Sequence, residues 1–162
     1  MGLQLPPALA ALLVDLGFQW TRSDEVILAQ VGDLWRDFES GLDDVEHLLA
    51  GALHRMRDGN AGEGVEAFTA AMLAGDAPQA TVRDAGTGSL AVGAGCYISA
   101  AIVLAVKSHV IVQLALLAAG LSALFAAAGP TMGASLAQVP VVKQVTGRLI
   151  DMIISRLTAL LV

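Results

Sequence analysis

A chain of 162 residues that is 56% hydrophobic, 4% aromatic and 15% charged is too apolar to stay disordered. It also carries less charge than the roughly 25% of an average soluble domain, so a partner chain or a membrane is expected to cover part of its surface. The net charge of −6 with no Lys/Arg cluster excludes a phosphate-neutralising surface and hence nucleic acid, and the single Cys96 excludes an internal disulfide and a Cys-based zinc site.

The charge is split along the chain. Through Asp84 there are five basic residues against fourteen acidic ones, a net of −9, whereas from Ala85 on Lys107, Lys143, Arg148 and Arg156 stand against Asp151, a net of +3. The expectation is a single all-α domain over 1–162, with an acidic helical hairpin over 1–84 packed with an apolar helical half over 85–162. Met1 to Gly17 contains no Lys or Arg and carries Asp15, so it lacks the basic start of a secretory signal peptide.

Pro6-Pro7 suits the first turn of a short helix with Leu9, Leu12, Leu13 and Leu16 at helical spacing, ended by Gly17. Ser23 is the expected N-cap of a long helix, with Asp24 and Glu25 favourable at its positive end. The apolar positions Ile27, Val31, Leu34, Phe38, Leu42, Val45, Leu49, Ala52 and Met56 approximate a heptad seam with one slip, at Phe38 to Leu42. Such a seam needs an antiparallel neighbour. The turn around Gly59, Asn60 and Gly62 supplies the reversal, and Ala61, Val65, Phe68 and Met72 repeat the spacing on the return arm. Pro78 interrupts that arm.

Gly86, Gly88, Gly93 and Gly95 leave the next segment open between helix and loop, since each glycine weakens a helix yet allows close backbone approach. Tyr97 to Val106 and Val110 to Ala128 are uncharged and separated by Lys107-Ser108-His109. With Tyr97, Lys107, His109, Leu114, Leu117, Leu121 and Phe125 as markers, this stretch reads either as a buried bundle helix or as a membrane or oligomer segment. Gly129-Pro130 breaks the chain. Pro140 opens a last, basic amphipathic helix with Val142, Val145, Leu149, Met152 (with Ile153), Arg156 (with Leu157) and Leu160 on one face.

Catalytic constellations are wanting. No Gly-x-Ser-x-Gly, no P-loop and no His-Glu-x-x-His is present, and His47 and His54 with Asp43, Asp44 and Glu46 read as a solvated acidic face rather than a metal site. The expectation is a non-enzymatic protein without cofactor. It would work through a helical interface comprising Trp20, Ile27, Val31, Leu34, Trp35, Phe38, Leu42, Val45, Leu49, Met56, Phe68 and Met72.

Leu5-Pro6-Pro7, Trp20-x-x-x-Asp24-Glu25, Trp35 in a long helix and Glu66-Ala67-Phe68 after a Gly-rich turn resemble the N-terminal WXG100-like domain of actinobacterial polymorphic toxins. Lys107-Ser108-His109-Val110-Ile111-Val112-Gln113-Leu114 and Pro130-Thr131-Met132-Gly133-Ala134-Ser135-Leu136-Ala137 look like its second half. The order is similar to that in outer membrane channel proteins of the tuberculosis necrotising toxin type. The resemblance implies cytoplasmic synthesis, export by a type VII (ESX) route or association with the cell envelope, pairing with a helical WXG100-type partner or with itself, and a place upstream of a toxin domain. No such domain lies in these 162 residues, and the expectation is either an isolated piece of a longer protein or a free-standing carrier or assembly subunit. Asn60 stands where the family's turn tryptophan would be, with Gly62 at the glycine, and Tyr97 is followed by Ala101 rather than an acid four residues on. The rival readings are a pore-forming membrane protein and a structural homo-oligomer.

Overall fold

The structure, a computed structural model, describes residues 2–158. It is all-α: α1 (Pro7–Asp15), α2 (Glu25–Gly59), α3 (Glu63–Met72), α4 (Pro78–Ala126) and α5 (Val139–Thr158), with a 3-10 turn at Ala134–Gln138 and no strand among the described residues. The chain divides into two compact units, Met1–Val26 with Ala100–Val162, and Ile27–Ser99. The compositional change at Ala85 falls inside α4 rather than at an element boundary.

In the Ile27–Ser99 unit, α2 ends where Gly and Asn permit a reversal. Gly62 takes φ +119°, and the Asn60 side chain donates to the Met56 carbonyl at 2.8 Å. α3 is short and is followed by a break, after which Pro78 occupies the first position of α4. Gly86 to Gly95 is helix, and Gly86 and Gly93 face α2 whereas Gly88 and Gly95 are exposed. A Cβ on Gly32 would sit 3.1 Å from the Tyr97 ring and 3.2 Å from the Gly93 carbonyl oxygen; one on Gly93 would sit 3.3 Å from the Gly32 carbonyl oxygen. The register is antiparallel, with Gly32 beside Gly93, Glu39 beside Gly86 and Glu46 paired to Arg83. Ser89 is buried there, its hydroxyl donating to the Ala85 carbonyl at 2.7 Å.

The packed face of α2 differs from the expected seam. The inward positions are Leu28, Gly32, Trp35, Glu39, Leu42, Glu46, Leu49, Leu53 and Met56, an unbroken four-three heptad that meets the expected seam only at Leu42, Leu49 and Met56. Ile27, Leu34, Phe38 and Val45 point to solvent, Leu34 being 67% exposed. The physical reason is that α4 offers Gly86, Ser89 and Gly93 at its seam, so the helices approach most closely where Gly32 meets Gly93, and that contact sets which face of α2 turns inward. On α3, Val65, Thr69 and Met72 are half-buried whereas Phe68 is exposed.

In the other unit, α1 ends in a Schellman closure: Gly17 at φ +85°, its N–H donating to the Val14 carbonyl and the Phe18 N–H donating to the Leu13 carbonyl. Leu13, Val110, Leu114 and Ile150 form the core, with Leu5, Leu9, Leu12, Leu16, Phe18, Trp20 and Val106 packed on it. Leu117 and Leu121 continue the buried row on α4. The Ser135 hydroxyl donates to the Leu124 carbonyl at 2.8 Å, tying the 3-10 turn to the end of α4. On α5 the buried positions are Thr146 and Ile150, with Val142 and Ile153 half-buried, while Val145, Leu149 and Met152 are exposed. The apolar face expected there is therefore corrected by about one residue, because Thr146 faces inward in place of Val145. Leu160 lies outside the described residues.

Candidate interaction surfaces

Asp24, not Ser23, caps α2: its Oδ1 accepts the Val26 N–H at 3.0 Å, and its Oδ2 accepts the Gly2 N–H at 2.9 Å. The next residue, Glu25, is buried. Its Oε2 accepts from the Lys107 ammonium at 2.7 Å and its Oε1 accepts the Leu3 N–H. Only 2% of the Lys107 side chain is exposed, and its ammonium lies 5.9 Å from the centre of the Trp20 ring. The lysine hydrogen bond first, then the Leu3 N–H, holds the Glu25 carboxyl below its ordinary value of 4.5. Gly2 is held so closely that a Cβ there would fall 2.6 Å from Glu25 Oε2. The pair thus pins the N-terminal segment and the start of α2 to the middle of α4.

Beside it lies a cavity of about 320 Å³ lined by Leu13, Phe18, Trp20, Val106, Val110 and Ile150 among others. The indole N–H of Trp20 is buried without a hydrogen-bond partner. Of the residues marking the apolar stretch, Leu114, Leu117 and Leu121 are core, Lys107 belongs to the ion pair, and His109 and Phe125 are exposed. Lys107 was legible only as a polar interruption. Its place on the row Ala100, Val103, Lys107, Val110, Leu114 would have shown that it faces inward and needs an acid.

In the Ile27–Ser99 unit, Tyr97 donates its hydroxyl to Asp33, and Arg36 lies 5.0 Å over its ring. Donation to the carboxylate raises the phenol above its usual 10.0. Arg83 holds Glu46 through Nε at 3.0 Å and Nη2 at 2.7 Å. Trp35 and Phe38 meet edge to face at 6.0 Å. His47 and His54 reach only Asp43 and Asp58 one turn away, on the exposed face. Among the described residues no group of three His, Cys, Asp or Glu side chains is placed to hold a metal.

What these elements leave open is apolar surface. Ile27, Val31, Leu34, Phe38, Gly41, Val45 and Leu48 form a second heptad row on α2, of which only Val31 is half-buried. At about 100° per residue it lies a little over a quarter of a turn from the packed row. Trp35, Leu42, Leu49 and Met56 belong to the packed row, and Trp20 belongs to the other unit's core.

The helix thus has one heptad row spent on its own chain and another turned to solvent, the pattern of a helix-pairing surface. The family profile of the WXG100 like domain matches residues 5–149, and the chain belongs to that family. Its members are non-enzymatic helical proteins associated with secretion that typically pair helix to helix. No curated protein and no solved structure matches the chain.

Proposed function

We propose that this protein is a carrier domain of the type VII (ESX) secreted, toxin-like kind found in actinobacteria, which pairs through the outward row of α2 with a helical hairpin partner. The observation that carries this reading is that row: Leu34, Phe38, Val45 and Leu48 are exposed at heptad spacing on a helix whose other heptad is already packed. Fully burying a large apolar side chain contributes about 1.5–3 kcal/mol, so covering what these four still expose gives a partner helix an apolar driving force. Co-expression with tagged small WXG100-type hairpins tests it. A co-purifying pair that is lost in Leu34→Glu/Phe38→Glu is expected; a wild-type chain that stays unpaired and soluble with every such partner overturns it.

A second reading, membrane association or pore formation by α4, has one observation in its favour. The most apolar 18-residue window of α4 has a mean hydropathy of 2.1, and only 17% of it is buried. Against it, Val110, Leu114, Leu117 and Leu121 already serve a protein core, and Lys107 is neutralised by Glu25. Flotation with liposomes separates the two: a protein that remains monodisperse in water and does not float excludes the membrane reading.

A further inference from the structure

The outward rows of α2 and α5 differ in charge. On α2, Asp37 and Asp44 are exposed along the edge of the row formed by Leu34, Phe38, Val45 and Leu48. Seven residues separate the two acids, roughly 10.5 Å along the helix at about 1.5 Å per residue. On α5, Val145, Leu149 and Met152 are exposed, and Arg148 and Arg156 lie within the same outward face. Those cations are eight residues apart, roughly 12 Å. Among the described residues no ion pair within the chain engages Asp37, Asp44, Arg148 or Arg156.

We infer that a second copy of this chain docks the basic, apolar face of its α5 onto the acidic, apolar row of α2. The inference rests on the reading above that the α2 row is a helix-pairing surface, on which the α5 of a second copy would compete with a hairpin partner. Charge selects this pairing. Two α2 rows would set Asp37 and Asp44 against like charges, and two α5 faces would set arginines against arginines, whereas α2 against α5 brings two acids at about two turns' spacing to two guanidiniums at nearly the same spacing. Both surfaces are apolar at the centre, so the charges choose the partner and register while burial supplies the attraction. Because the two patches differ, the contact is head to tail, and copies add until a ring closes or a filament grows.

Light scattering coupled to size exclusion, over a wide concentration range and at low and high salt, tests the contact with two charge-reversed proteins, Asp37→Lys/Asp44→Lys and Arg148→Glu/Arg156→Glu. All four positions are exposed, so circular dichroism should match the wild type. The wild type is expected to exceed the 16.6 kDa of one chain and to dissociate with salt. Each double variant alone should associate at least about tenfold more weakly. An equimolar mixture should recover assembly, since the reversed α2 of one protein meets the reversed α5 of the other. A wild type that is monomeric at every concentration, a variant that assembles like the wild type, or a mixture that stays monomeric overturns the inference. A monomeric wild type that still captures a WXG100-type hairpin overturns self-docking alone and leaves the helix-pairing reading standing.

Discussion

Lys107 and Glu25 show how one pair can organise a chain otherwise short of charge. No Asp, Glu, Lys or Arg other than Lys107 occurs between Asp84 and Lys143, and that one is buried against Glu25. Two desolvated charges in direct contact contribute little net stability, yet removing one strands the other. Glu25→Gln is therefore expected to lower the thermal midpoint strongly, Lys107→Met likewise, and the double substitution to recover much of the loss because it leaves no unpaired charge. A double variant no better than the worse single one would contradict this account. Acid should act on the same pair. Since the folded Glu25 carboxyl lies below its ordinary 4.5, the linked stability is fully present above about that value and is lost as pH falls through the lower folded value. In Glu25→Gln that acid-dependent component should be absent from denaturant midpoints measured across this range. Tyr97 works in the opposite sense. Its raised phenol favours the folded state below 10.0, and the gain is lost as pH rises through the folded value.

At the scale of elements, the order of helices was legible in the sequence and their facing was not. Pro7, Gly17, the Gly59 to Gly62 reversal and Pro78 mark boundaries because each constrains the backbone locally. Facing is decided by the neighbour. Gly32 and Gly93 bring two backbones together, so Glu39 and Glu46 occupy packed heptad positions while Phe38 and Leu34 do not. A reading that phases α2 through Leu34 and Phe38 misses a seam whose closest approach is at two glycines, and a similar error of phase recurs at Thr146 in α5. Substitutions at the glycines of α4 should separate the two roles. Gly93→Leu must drive a side chain into the Gly32 carbonyl and the Trp35 Cβ, at 3.3 and 3.4 Å from its own Cβ, and should cost about 1–3 kcal/mol. Gly95, with nothing within 4 Å, should instead gain up to about 1 kcal/mol on replacement by Ala, as an exposed helical site does. Equal effects at both positions in urea titrations would remove the close-approach argument.

For the whole molecule the consequence is that each unit carries its own reporter, on the buried apolar cluster in one and on the α2–α4 seam in the other. Trp20 packs on the Leu13, Val110, Leu114 and Ile150 cluster, and Trp35 lies on the seam that Gly32 and Gly93 close. The compositional halves conceal this division, because the acidic front contributes residues 2–26 to the unit that also holds the apolar and basic back of the chain. Proteins retaining a single tryptophan, through Trp35→Phe or Trp20→Phe, should follow the core and the seam separately in denaturant. Leu114→Ala removes a side chain with 0% exposure and should destabilise by about 2–5 kcal/mol, shifting the Trp20 transition more than the Trp35 transition. Gly93→Leu should shift them in the reverse order. Local stability need not be uniform along a chain, and a lesion is felt most where its contacts lie. If both tryptophans instead report one transition that moves equally for either substitution, the two units unfold as one cooperative body, and an interaction at the α2 row would then stabilise residues far from it as strongly as those it touches.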